Sequence, residues 1–153
     1  MNYVCSWAMA MGCGAASLTI APVAQAAQLV ELTQVPCQFL ESEGGVNRGY
    51  ASRSIKDCEV INDKTSRQRL AEARPLVLRP GKYVFRVANK NVPYELGFWL
   101  RGATVAARIT LPSVSGGGIM PGGARDYEID LKPGEYVYSC PLNNTPDYKL
   151  VVK

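Results

Sequence analysis

"LRPGKYVFRV" at residues 78–87 and "LKPGEYVYSC" at residues 131–140 are two copies of one pattern: Leu-basic-Pro-Gly-charged-Tyr-Val-aromatic. The Pro-Gly pair predicts a tight turn that leads directly into a β-strand. The tyrosine two residues after the glycine is placed to return its hydroxyl to the backbone, which makes a tyrosine corner, a feature of Greek-key sandwiches. The two copies therefore predict two Greek-key corners in one fold.

Short strand-like runs surround these copies. Alternate side chains of a strand share one face, so one face is predicted to hold Tyr83, Phe85 and Val87, and another to hold Tyr136, Tyr138 and Cys140. Further strands are predicted at Gln28–Val35, Leu76–Leu78, Glu95–Leu100, Arg108–Leu111, Tyr127–Leu131 and Tyr148–Val152. We expect an all-β, Greek-key sandwich.

Two segments, residues 41–75 and 112–125, do not have the sequence pattern of β-strands. Residues 41–75 are polar and predict an insertion after the first strand, with one short helix at Ser66–Ala73. The arginines of this region, Arg67, Arg69 and Arg74, are expected on a solvated helix face. Residues 112–125, "PSVSGGGIMPGGAR", are rich in glycine and predict a flexible loop. Their spacing does not match a phosphate-binding motif.

The first 26 residues predict a signal peptide. They contain no charged side chain, are mostly apolar and end in Ala24-Gln25-Ala26, a small-x-small cleavage signal. A retained anchor is the alternative reading. Cleavage near Ala26 would leave one exported, periplasmic domain, residues 27–153, with no membrane span.

Composition excludes several functions. The chain has no histidine, so serine–histidine and cysteine–histidine nucleophiles are excluded, and we expect no enzyme. The net charge of +4 is interspersed along the chain and predicts no nucleic-acid surface.

The segment Leu131–Lys153 resembles the C-terminal motif of the cupredoxin family: Pro-Gly-x-Tyr-x-x-x-Cys, a short loop, then a hydrophobic strand. "VANKNVPYELGF" at 87–98 resembles the family's Asn-rich loop. The resemblance implies a cupredoxin-like sandwich in which Cys140 matches the copper-binding cysteine. Tyr94 or Glu95 and Asn143 stand where the two histidines would be, so a blue-copper electron carrier is not expected.

A closer resemblance is to the cupredoxin-like domain of periplasmic components of bacterial ferrous-iron uptake systems. In "VELTQVPCQF" at 30–39, Cys37 matches a cysteine after the first strand, and Glu95 matches an acidic position. Cys140 again ends the Pro-Gly-Glu-Tyr strand. The insertion with Cys58 has no counterpart there. The resemblance implies a metal site at Cys37 and Cys140, and the soft thiolate ligands favour copper over iron.

Three cysteines follow the predicted signal peptide, and an odd count leaves one thiol over. A Cys37–Cys140 disulfide would close a loop of about 100 residues and stabilise by about 4–5 kcal/mol, and a Cys37–Cys58 disulfide by about 3 kcal/mol. Alternatively, the reduced thiols converge as soft ligands for Cu(I), with Glu95, Cys58 or Met120 completing the site.

Two functions follow from these alternatives. One is an exported metal-handling protein that binds or passes on copper through Cys37 and Cys140. The other is a metal-free, disulfide-stapled module that docks to a larger periplasmic or membrane protein complex.

Overall fold

The elements of the fold are short strands with two helices between them. The computed structural model describes residues 26–153; the predicted signal peptide falls, but for its last residue, outside them. In chain order the elements are β1 (Gln28–Val35), β2 (Gln38–Phe39), α1 (Ile55–Glu72), β3 (Leu76–Leu78), β4 (Gly81–Asn89), β5 (Leu96–Gly102), α2 (Val105–Thr110), β6 (Val114–Ile119), β7 (Ala124–Leu131), β8 (Gly134–Ser139) and β9 (Tyr148–Val152). Among the described residues, no helix is long and apolar enough to cross a bilayer.

The strands form two sheets, with strand orders β2-β1-β4-β7 and β3-β9-β8-β5-β6. Strand β1 pairs in parallel with β4, and β3 in parallel with β9, whereas the other pairs are antiparallel. Neighbours in each sheet are often distant in the chain, as Greek-key connections require. The predicted all-β, Greek-key sandwich is confirmed by the two sheets and their strand orders.

The two copies of the repeated pattern form β4 and β8, one in each sheet. The residues predicted to share one face in each copy are buried: Tyr83, Phe85, Val87, Tyr136, Tyr138 and Cys140. The Tyr83 hydroxyl donates to the carbonyl of Arg79 at 3.0 Å, and the Tyr136 hydroxyl to that of Lys132 at 2.9 Å. The repeated tyrosine therefore buries its ring in the core while its hydroxyl bonds the turn before the strand.

Helix α1 is longer than predicted. It begins at Ile55 instead of Ser66, because Ser54 and Asp57 form a capping box at its start. Its buried positions are polar or small: Cys58, Asn62 and Arg69. An apolar period is the usual signal of a helix, and this helix does not have one.

Two further predictions are wrong. The proposed strand Arg108–Leu111 is mostly part of α2, which begins where the Thr104 side chain accepts the backbone N–H of Ala107 at 3.1 Å. The proposed loop at residues 112–125 contains β6, an edge strand.

Two charged side chains pack closely against the backbone of β6, which leaves room there only for glycine. Glu95 accepts the N–H of Gly118 at 2.6 Å, and Arg125 donates to the carbonyl of Gly117, also at 2.6 Å. A Cβ atom on Gly117 would lie 2.8 Å from Glu95 Oε1. These contacts use polar backbone groups that an edge strand otherwise leaves open to another chain.

Candidate functional site

A disulfide bond joins Cys37 to Cys58, with Cα atoms 5.0 Å apart. Cys37 lies in the turn between β1 and β2 with φ 65°, and Cys58 lies in the first turn of α1. Of the two pairings that the sequence left open, this one is present, and Cys37–Cys140 is wrong. The reason is the early start of α1, which carries Cys58 to the β1–β2 turn.

Cys140 is the unpaired cysteine of the part of the chain that the structure describes, and it is fully buried. The N–H of Gly97 donates to its Sγ at 3.3 Å, and its own N–H donates to Thr145 Oγ1 at 2.8 Å. Burial raises the pKa of the Cys140 thiol above 9.0, although nearby backbone N–H groups oppose the shift. The thiol is therefore neutral at pH 7 and a poor nucleophile.

Asn143 lies between the disulfide and the thiol. Its Oδ1 accepts the N–H of Cys37 at 2.9 Å and lies 3.4 Å from Cys58 Sγ. Its Nδ2 donates to the carbonyl of Val35 at 2.9 Å, and its backbone N–H donates to the Cys140 carbonyl at 3.2 Å. The Asn143 side chain is therefore hydrogen-bonded through both its oxygen and its nitrogen.

Tyr94, which with Glu95 was matched by the resemblance to the first histidine, lies beside the disulfide. Its hydroxyl is 2.5 Å from Ser52 Oγ, 3.3 Å from the carbonyl oxygen of Ser54 and 3.8 Å from Cys58 Sγ. Burial raises the pKa of the Tyr94 hydroxyl, which keeps it protonated as a hydrogen-bond donor.

Glu95 and Met120 both lie at β6. The Glu95 carboxylate binds the N–H of Gly118, and Met120 is 59% exposed in the turn after β6. In residues 26–153, no group of three or more His, Cys, Asp or Glu side chains is placed to hold a metal ion. The assignment of Cys37, Cys58, Cys140, Glu95 and Met120 as ligands stays a prediction.

A buried ion pair next to the disulfide was not predicted. Arg69, 1% exposed, donates to Glu43 Oε1 from Nε at 2.9 Å and from Nη2 at 2.7 Å. The Tyr148 hydroxyl donates to the same oxygen at 2.6 Å. Arg69 Nη2 also donates to the Cys37 carbonyl at 2.9 Å. The pair therefore connects α1 to the sandwich and to the disulfide.

Glu43 and Arg69 are charged in this cluster. Burial by itself would raise the pKa of the Glu43 carboxyl, but hydrogen bonds from Arg69, Tyr148 and Arg48 together lower it below 4.5. Burial also raises the pKa of the Tyr148 hydroxyl well above its usual range, so Tyr148 remains a donor. Each polar group of the pair thus has a partner, which a buried charge requires.

The expectation that Arg69 lies on a solvated face is wrong, whereas Arg67 and Arg74 are exposed. A signal for Arg69 was present in the spacing of Cys58, Asn62 and Arg69, which share one helical face at i, i+4 and i+11. This spacing is a weak signal of burial because the residues on the face are mostly polar. A helix whose polar residues recur in the same way can equally be exposed to solvent on all sides.

No family model matches the chain, and no curated protein does. Among solved structures, an auracyanin B structure has 14% identity and a TM-score of 0.48, over 83% of this chain and 89% of the other. A reduced Cu(I) form of an amicyanin mutant at pH 4 has 14% identity and a TM-score of 0.38, over 86% of each chain.

Proposed function

We propose that this chain is an exported, cupredoxin-like interaction module that docks to a larger partner protein. The observation that best supports this proposal is the Cys37–Cys58 disulfide, which lies at the end of the sandwich where the resemblance implies a metal site. Asn143, at the second histidine's position, already makes hydrogen bonds to the backbone of Cys37 and Val35. The disulfide itself supports export, because such bonds persist in oxidising compartments.

The module is proposed to act by binding and not by catalysis. The Cys140 thiol is buried and neutral, and the chain has no histidine to activate it. A nucleophile needs an adjacent base or a lowered pKa. In this proposal Cys140 serves as a core residue, and the insertion that carries α1 supplies the docking surface.

The test is in-cell cross-linking of the full chain with a lysine-reactive reagent. We expect a covalent complex of one defined size that contains a second protein, together with an exported, processed chain. The absence of any adduct larger than the chain itself would contradict docking. An unprocessed chain in the cytoplasm would contradict export.

A second candidate function is metal handling, and one observation favours it. Cys37, Cys58 and Cys140 all neighbour Asn143, so reduction of the disulfide would leave three thiols in one region. Thiolates are soft ligands suited to Cu(I), and iron fits this set less well. In this proposal Glu95 or Met120 completes the site after a rearrangement of β6.

Metal binding is tested on reduced and oxidised protein under anaerobic conditions. If the second function is correct, reduced protein binds one Cu(I), the oxidised form binds none, and Cys140→Ser abolishes uptake. Equal copper content in the reduced wild type, the oxidised wild type and Cys140→Ser would contradict it.

A further inference from the structure

A cleft of about 650 Å³ opens between the start of α1, the loop before β5 and the turn after β8. Ile55, Tyr94 and Leu142 contribute its apolar lining, and Arg53, Lys56 and Glu95 contribute charged groups. We call this feature the α1 cleft. It exists because the insertion places the first turn of α1 beside the sandwich, and no motif in the sequence predicted it.

The apolar part of the α1 cleft is held in position before any ligand arrives. Ile55 is 37% exposed and lies three residues before the disulfide-bonded Cys58. The Tyr94 ring is fixed by its hydroxyl contacts to Ser52 and Ser54. Preorganised apolar surface binds with a smaller loss of conformational entropy than a mobile loop does.

In the α1 cleft the acidic side chains have hydrogen-bond partners, whereas the basic side chains form no ion pair among residues 26–153. Arg53 and Lys56 are exposed, and within residues 26–153 neither side chain forms an ion pair. The carboxylates beside them are already bonded: Glu95 accepts the N–H of Gly118, and Asp57 accepts the N–H groups of Arg53 and Ser54 at 2.8 and 3.0 Å. The Arg53 and Lys56 side chains therefore remain available to pair with carboxylate groups of a ligand.

We propose that the α1 cleft binds a short segment of a partner protein in which an apolar side chain is flanked by carboxylates. The inference rests on the proposed docking function and names its site and the chemistry of its partner. An apolar side chain fits between Ile55, Tyr94 and Leu142, while the flanking carboxylates meet Arg53 and Lys56. The cleft is shallow and open, which suits a segment of a larger chain better than an enclosed small molecule.

The experiment measures binding of three labelled heptapeptides to the full oxidised protein by fluorescence anisotropy. One probe has a central Phe flanked by Glu residues, the second has Lys in place of Glu, and the third has Gly in place of Phe. We expect the Glu–Phe probe to bind at least tenfold more tightly than either control, and more weakly as salt increases.

Two charge-reversal variants locate the site. The double variant Arg53→Glu/Lys56→Glu should weaken binding of the Glu–Phe probe at least tenfold. The matched control, Lys64→Glu/Arg67→Glu, reverses two exposed charges elsewhere on α1 and should leave binding unchanged. Circular dichroism and the thiol count confirm that both variants fold, since all four positions are exposed.

Several outcomes would overturn the inference. They are equal binding of the three probes, no binding of any, or equal loss in both double variants. Binding of anionic phosphatidylglycerol vesicles without binding of the Glu–Phe probe would assign the cleft to a membrane surface instead. If in-cell cross-links persist unchanged in Arg53→Glu/Lys56→Glu, docking stands and the α1 cleft is not its site.

Discussion

Arg69 Nη2 lies 2.9 Å from the carbonyl oxygen of Cys37, so one residue of the β1–β2 turn is held by α1 twice. The first link is this hydrogen bond from a buried guanidinium, and the second is the disulfide from Cys37 to Cys58. The two links bind α1 to the sandwich at positions about three helical turns apart. The α1 cleft depends on this attachment, because its Ile55 and Lys56 belong to the same helix.

Replacement of Arg69 by Met should lower the free energy of unfolding by about 3–5 kcal/mol, because it leaves the Glu43 carboxylate buried without its charged partner. Urea denaturation measures the change. The exposed neighbour Arg67 is the control, and Arg67→Ala should change stability by no more than about 0.5 kcal/mol. Equal effects of the two substitutions would contradict the structural role of the buried pair.

Stability should fall with acid. The pKa of the Glu43 carboxyl is lowered in the folded protein. Its contribution to stability is therefore complete above pH 4.5, the ordinary pKa of the group, and is lost as the pH falls through the folded pKa. Denaturation midpoints measured between pH 7 and pH 3 should decrease in the wild type. Glu43→Gln should show a smaller decrease over this interval, and an identical slope in both proteins would show that Glu43 does not carry the effect.

Removal of the disulfide should loosen α1 before it unfolds the sandwich. Cys37→Ser/Cys58→Ser is expected to cost about 3 kcal/mol of stability, as estimated for a loop of this length. Hydrogen exchange should accelerate in α1 and remain slow in β4 and β8, whose side chains fill the core. Uniform acceleration across the chain would contradict a local attachment.

The Gly97→Ala substitution should destabilise the protein and expose a thiol. A Cβ atom at Gly97 would lie 2.8 Å from the carbonyl oxygen of Gly116 in the neighbouring strand, and overpacking of this kind costs about 1–3 kcal/mol. Because the Gly97 N–H also contacts Cys140 Sγ, the variant should react faster with a thiol reagent. Ser115→Ala, an exposed change in β6, is the control and should leave the reaction rate unchanged.

The sandwich could be predicted from the sequence because its signals are local. In each copy of the repeated pattern, the Pro-Gly turn, the tyrosine and the alternating residues of the strand lie within about ten residues of one another. Each of these features restricts the backbone or assigns a face independently of the rest of the chain. The strands β1, β3 and β9 were predicted with the bounds that the structure has.

The site could be predicted only in part because its contacts are distant in the chain. Cys37 and Asn143 meet across 106 residues, and Arg69 and Glu43 across 26. The start of α1 is set by the capping box of Ser54 and Asp57, within a polar insertion that has no apolar period. Without that start, the choice between Cys58 and Cys140 as the partner of Cys37 could not be made.

The central claim, that Cys37 is bonded to Cys58 and Cys140 is a buried free thiol, is tested most directly by non-reducing peptide mapping. The chain purified after export is alkylated under denaturing conditions without reductant and digested with trypsin, which cuts after Arg48, Lys56 and Lys64 and so separates Cys37, Cys58 and Cys140 from one another. We predict a cross-link between residues 57–64 and the peptide that carries Cys37, with Cys140 alkylated. A Cys37–Cys140 cross-link, or alkylation of all three cysteines, would contradict the account.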